Sequence, residues 1–220
     1  MAEMVLTRFD LTINGACEDE AMRSMFAARK RVFIDLLKWD LPIVAGRFEI
    51  DQFDDEHARY LIVMDDCGRH RASARLLPTS GPHILGDLFS DLAEKGVPRG
   101  PDIFEITRFC LDRDQSAGER RRARNVLVSA LADNARFNGI RAYTGVAEPA
   151  WLAQIMSFGW DCRPLGMPRE YQCGQLAGLE IKIDAQTIPG LCAAGVYIPI
   201  RAAQLGERPC RIYPAEVKAA

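Results

Sequence analysis

The sequence lacks any apolar run near the roughly 20 residues needed to cross a bilayer. Its opening Met-Ala-Glu-Met-Val-Leu-Thr-Arg-Phe-Asp carries charges where a signal peptide needs an unbroken apolar stretch. A cytoplasmic protein without a membrane role is expected. Cysteine is present but unpaired in pattern: seven residues fall singly from Cys17 to Cys210 with no C-x-x-C, which fits reduced thiols better than a disulfide framework. Histidine is scarce. Only His57, His70 and His83 occur, with no H-E-x-x-H, so a histidine metal site or Ser-His-Asp chemistry is hard to assemble and no metal is expected. The net charge of −2 argues against a nucleic-acid binder. Internal repeats and low-complexity segments are also missing.

What is present is ordinary for a globular chain. With 220 residues, 48% hydrophobic and 26% charged, one full-sized core and a single domain over residues 1–220 are the default. The tail after Pro199, rich in Ala, Arg and Pro, is expected to be poorly ordered.

From Glu18 to Trp39, Met22, Met25, Phe26, Val32, Phe33, Leu36 and Leu37 have the spacing of one helical face. Tyr60 to Met64, the turn-like Asp65-Asp66-Cys67-Gly68 and Arg71 to Leu77 predict a hairpin, and Ile103 to Leu111 a third strand. Ser116 and Glu119 have capping-box spacing ahead of a helix that should stop at Asn138-Gly139. Ile140 to Val146 reads as a buried strand, Pro149 as the first turn of a helix ending near Gly159, and Leu179 to Ile183 as a further strand. This order predicts an α/β fold of the α+β type: three layers, with helices packed on a mixed, largely antiparallel sheet.

Several residues do not suit a purely structural role. Arg29 lies seven residues after Met22 and four before Phe33, on the helical face that should be buried, where a guanidinium needs a partner unless it snorkels outward. In Phe48-Glu49-Ile50-Asp51-Gln52-Phe53-Asp54 three carboxylates sit among apolar residues, and on a strand Glu49 and Asp51 would share a face. They suit either a solvated loop or a site for a cation. With Arg29, Phe33 and Trp39 the segment offers carboxylates for an amine, an arginine for a carboxylate and rings for a sulfonium. Glu105 and Arg108 interrupt the apolar Phe104-Glu105-Ile106-Thr107-Arg108-Phe109 and would point to opposite faces unless a bulge intervenes. Arg120, Arg121, Arg122 and Arg124 crowd a helix start, where the macrodipole disfavours cations; they form either a solvated basic face or a dock for an acidic partner.

Together these segments resemble the acyl-homoserine lactone synthase family, the autoinducer synthases of bacterial quorum sensing. The family's N-terminal Arg, Phe and Trp match Arg29, Phe33 and Trp39, and its acidic motif matches Glu49, Asp51 and Asp54. Arg75 in Ser-Ala-Arg-Leu and Glu105-Ile106-Thr107-Arg108-Phe109 match its next two elements, and the whole set covers residues 22 to 160. The resemblance implies an acetyltransferase-like fold and the transfer of an acyl chain from acyl-carrier protein or acyl-CoA to the amine of S-adenosylmethionine. Lactone closure then releases methylthioadenosine. S-adenosylmethionine is a substrate in this scheme, and no cofactor is implied.

The roles implied are these. Arg29, Phe33, Trp39, Asp51, Asp54 and Arg108 serve S-adenosylmethionine, with Arg75 in support. Glu105 is the candidate base, with Glu49 second. Phe104, Thr144 and Val146 face the acyl chain, Thr144 matching a position whose hydroxyl is associated with a 3-oxo chain. Arg121, Arg122 and Arg124 would dock the carrier protein. The rival readings are a generic acetyl-CoA-dependent N-acetyltransferase and a non-catalytic ligand-binding module. Gln115-Ser116-Ala117-Gly118-Glu119-Arg120 partly resembles a pyrophosphate loop, but Arg120 stands where a small residue would let backbone approach closely.

Overall fold

In the computed structural model the chain runs through β1 (Val5–Ile13), α1 (Glu20–Arg29), a π-helical segment (Lys30–Leu36), β2 (Ile43–Val44), β3 (Phe48–Glu49), β4 (Arg59–Met64) and β5 (His70–Pro78). It continues through α2 (Ile84–Asp87), a 3-10 turn (Ser90–Leu92), β6 (Ile103–Leu111), α3 (Ala117–Asn138), β7 (Ala142–Ala147) and α4 (Pro149–Met156). The last elements are β8 (Asp161–Pro164), β9 (Arg169–Tyr171), β10 (Gly174–Lys182), α5 (Thr187–Ala193), β11 (Leu205–Glu207) and β12 (Cys210–Ile212). The structure describes residues 5–13, 20–65, 67–199, 205–207 and 210–212, so the expectation for the tail falls mainly outside the described residues. No helix among them is long and apolar enough to cross a membrane.

Contacts divide the chain into two compact units: Met1–Arg75 with Arg108–Arg124 and Arg201–Ala220, and Leu76–Thr107 with Asn125–Ile200. Strands β5 and β6 and helix α3 contribute residues to both. The fold is mixed α+β around a mixed, largely antiparallel sheet, as the pattern predicted.

In the first unit β1 runs antiparallel to β4, from Val5 opposite Met64 to Asp10 opposite Arg59, and parallel to β11 and β12. Tyr60, Leu61, Ile62 and Val63 are all buried, as an unbroken apolar strand requires when both its faces are covered. Helix α1 buries Met22, Met25, Phe26, Ala28 and Arg29. The periodicity predicted one helix through Trp39. Instead the ladder widens after Arg29, and the Leu37 N–H reaches back five residues to the Val32 carbonyl at 3.0 Å. The apolar stripe ends for the same reason: Phe33 stays buried while Leu36 and Leu37 are 51% and 45% exposed.

In the second unit β7 pairs parallel with β6 and antiparallel with β10, which pairs antiparallel with β8 and β9. Tyr143 is fully buried, its hydroxyl donating to the Leu131 carbonyl at 3.0 Å and accepting from Asn134 Nδ2 at 3.1 Å, both on α3. The predicted ends of α3 hold. Ser116 N–H donates to Glu119 Oε2 at 2.8 Å, Glu119 N–H donates to Ser116 Oγ at 3.3 Å, and Gly139 takes the left-handed φ of +66° that closes the helix.

Candidate active site

Arg29 does not snorkel. It is 1% exposed at the end of α1, donating from Nε to Glu49 Oε2 at 2.5 Å and from both Nη atoms to the two oxygens of Asp54 at 2.8 Å. Arg75 on β5 donates to both oxygens of Asp51, at 2.6 and 3.1 Å, and lies 2.8 Å from Asp54 Oδ1. Arg108 on β6 reaches Asp51 Oδ2 at 2.6 Å and both Glu49 oxygens at 3.2–3.3 Å. Three guanidiniums and three carboxylates therefore form one closed, neutral network in the first unit. Buried charges at this density survive only when each is both paired and hydrogen-bonded. Tyr60, which the sequence did not flag, adds a 2.6 Å hydroxyl donation to Asp54.

The electrostatics follow. Burial alone would favour a neutral Asp54, but Arg29 and Arg75 overcome it and hold the carboxyl well below its usual range. Burial likewise opposes a charged Arg29, and Asp54 and Glu49 more than compensate, raising its pKa. Burial and the neighbouring Arg29 lower the pKa of Arg108. Glu49, Asp51 and Asp54 group like metal ligands, with oxygens within 4.8 Å of one another, yet an ion there would have to displace arginines already bound. Both Glu49 oxygens are committed to Arg29 and Arg108. Asp51 lies beyond the two-residue β3, in a turn where it accepts the Phe53 N–H at 2.8 Å, so the expected shared strand face with Glu49 is replaced by one shared partner, Arg108.

Beside this network the aromatic pair predicted from the sequence is assembled. Phe33 and half-buried Trp39 stack with centroids 5.0 Å apart and planes 17° apart, and the Arg108 guanidinium lies 5.7 Å from the Phe33 centroid. Arg108 has φ +50°, an uncommon left-handed value for a residue with a side chain, and it breaks the alternation of β6 where a bulge was expected.

In the second unit Glu105 is fully buried on β6, and its Oε1 accepts the Leu85 N–H at 2.9 Å. Nothing in the sequence points to Leu85, because a backbone donor leaves no compositional trace. Glu105 is directly paired with Thr144 on β7, so the two share a face with Val146, two residues on. Phe104 is paired with Tyr143 and belongs to the opposite face. The structure thus brings Thr144 and Val146 to the Glu105 side and leaves Phe104 off it. Thr144 Oγ1 is buried and has no hydrogen-bond partner among the described residues. On α3, Arg121 and Arg122 are exposed while Arg124 is half-buried; burial and the adjacent Arg121 disfavour its charged form.

The mixed sheet with helices packed on it is the N-acyltransferase fold. An acyl-CoA N-acyltransferase from Pseudomonas aeruginosa shares that fold at TM-score 0.51 and 15% identity, covering 82% of this chain and 99% of its own. Residues 15–184 match the autoinducer synthase family, and the chain belongs to it. An acyl-homoserine-lactone synthase of Ralstonia solanacearum is 40% identical over 172 residues, 76% of this chain and 82% of that protein. The CoA-dependent acyl-homoserine lactone synthase MesI superposes with TM-score 0.75 at 26% identity, covering 90% and 98% of the two chains. Generic acetyl transfer and ligand binding without catalysis are thereby set aside.

Proposed function

We propose that the chain joins an acyl group to the amine of S-adenosylmethionine and releases an acyl-homoserine lactone, with Glu105 as the base. The observation that carries this reading is a carboxylate wholly removed from water, held by the Leu85 N–H and flanked by the free hydroxyl of Thr144. The amine must lose its proton to attack the thioester carbonyl, and a fixed carboxylate can accept it. The acyl–sulfur bond breaks as the amide forms, and the thiol of the donor leaves. The methionine carboxylate then attacks the carbon bonded to the sulfonium, and methylthioadenosine departs neutral. That closure needs orientation more than acid or base.

The three acids near Arg29 do not face an amine unaided, since their charge is already met. Their part is to hold Arg108, Phe33 and Trp39 in place, and those three form the surface offered to S-adenosylmethionine: rings for the sulfonium and adenine, a guanidinium for the carboxylate. Glu49, committed to two arginines, is a framework residue in this reading. S-adenosylmethionine enters as a substrate and the reaction calls for no further cofactor or metal. The relative MesI is CoA-dependent; for this chain the exposed Arg121 and Arg122 favour an acidic acyl-carrier protein as donor.

The test is release of methylthioadenosine from S-adenosylmethionine and an acyl donor by the wild type and by Glu105→Gln. The variant keeps size and hydrogen bonding but loses basicity, so acylation should fall by about 10²–10⁴-fold while S-adenosylmethionine still binds, with partial recovery at high pH. Near-normal acylation at neutral pH would remove Glu105 from the role.

A further inference from the structure

Register lays two rows of side chains next to each other on the Glu105 face of the second unit. The first is polar: Glu105 pairs with Thr144, Thr144 with Glu180, and Glu180 with Arg163, which donates to it at 2.6 Å. The second lies two residues along and is apolar: Val146 pairs with Gly178, and the Gly178 carbonyl accepts the Leu165 N–H at 2.9 Å. A buried cluster of Leu85, Leu92 and Leu176, with Phe89, Val97, Val146, Leu165 and Tyr171 against it, covers this second row. An acyl chain whose carbonyl is presented to Glu105 therefore meets charge along one row and hydrocarbon along the other, and the hydrophobic effect directs it over Val146 toward Gly178.

That path has a wall. A Cβ on Gly178 would lie 3.1 Å from the Leu92 carbonyl oxygen, 3.2 Å from Leu92 Cβ and 3.4 Å from Leu85 Cδ1, so both leucines rest directly on bare backbone. They are 1% and 0% exposed. The wall is also braced from behind: Phe89 and Tyr171 pack edge to face at 5.0 Å, the Tyr171 hydroxyl donates to Asp91 at 2.5 Å, and Glu94 N–H donates to the Leu165 carbonyl at 3.1 Å.

We infer that Leu92, seated on Gly178, is the end stop for the acyl chain, and that the preferred donors carry acyl groups of about six to eight carbons, because the diagonal from Thr144 to Gly178 is about 7–8 Å in a pleated sheet. This assignment rests on the acyl-transfer reading above. It makes Leu92 and Gly178 specificity residues of opposite sign, since shrinking the first lengthens the path and enlarging the second shortens it.

The experiment expresses the wild type, Leu92→Ala, the milder Leu92→Val and Gly178→Ala in a bacterium that makes no lactones of its own, and measures lactone chain lengths by mass spectrometry. Both leucine variants should favour longer products, Leu92→Ala by two to four carbons, with the ratio of longer to shorter lactones rising about tenfold or more. Gly178→Ala should shift the distribution toward shorter chains. If the leucine variants give the wild-type distribution, the end stop lies elsewhere and the inference fails. If Leu92→Ala does not fold, the direction of change in Leu92→Val and Gly178→Ala decides alone. A folded wild type that yields neither lactone nor methylthioadenosine would overturn the activity itself, an outcome distinct from an unchanged chain length.

Discussion

The charged network around Arg29 and the surroundings of Glu105 treat buried polarity in different ways. In the first, six ionised side chains are spent on one another, and the result is stiffness. In the second, Glu105 shares a strand face with Thr144, whose hydroxyl has no partner among the described residues, and the Leu85 N–H holds its carboxylate in place. In the proposed reaction the charged cluster is the framework, and Glu105 is where the proton moves. Buried groups with satisfied partners contribute order; those held in place with capacity to spare are the candidates for catalysis.

The largest effect that tests this contrast should come from Asp54→Asn. Removing one charge leaves the buried network with an uncompensated positive charge, although Arg29 keeps Glu49 and Arg75 keeps Asp51, which costs about 3–5 kcal/mol and should lower Tm by on the order of 10 °C in calorimetry. The acid limb should change with it. Asp54 is held ionised far below its usual range, so its stabilising contribution is complete above the ordinary carboxyl pKa near 4 and is lost as pH falls below that. The variant should therefore lose less stability than the wild type between neutral pH and acid. An unfolding midpoint equal to the wild type would show that the network is not a framework. Glu105→Gln should do the reverse, leaving Tm nearly unchanged while the rate collapses.

A smaller effect is expected from Trp39→Ala, which removes the outer ring of the stacked pair but none of the ion pairs. Affinity for S-adenosylmethionine should weaken by about 0.5–2 kcal/mol in titration calorimetry with the fold intact. Unchanged affinity would confine the pair to packing. The smallest belongs to the exposed arginines. Reversing Arg121 and Arg122 to Glu should reduce turnover of a carrier-bound donor a few-fold at low salt, and the deficit should fade as salt screens the surface. A salt dependence identical to the wild type would make them only a solvated face.

Much of the fold was legible because its signals are local. β6 falls on Ile103–Leu111 as its apolar run indicated, and Ser116, Glu119 and Gly139 mark α3 through chemistry that acts within one turn. Strand β1 was missed although Phe9, Leu11 and Ile13 alternate with Arg8, Asp10 and Thr12, whereas the four-residue α2 and the short β8 and β9 carry no comparable period. At the site, residue types were legible and partnerships were not. The sequence showed carboxylates and arginines within reach of one another, but it took the fold to show that Glu49 is consumed by Arg29 and Arg108. The face of Phe104 was missed because faces depend on register, which pairing fixes and spacing alone does not.

The π-helical segment between Arg29 and Trp39 bears on how this chain can vary. A wide turn takes up one more residue than an α-turn over the same path, so it behaves as an insertion absorbed without lengthening the helix. Deleting one residue from Lys30–Val32 would bring Phe33 one position closer to Arg29 and, on an α-helix, swing it by about 100° relative to Arg29. The guanidinium could then keep its acids or the ring could keep Trp39, but not both. Single-residue gaps should thus be excluded from this stretch even where substitutions are allowed.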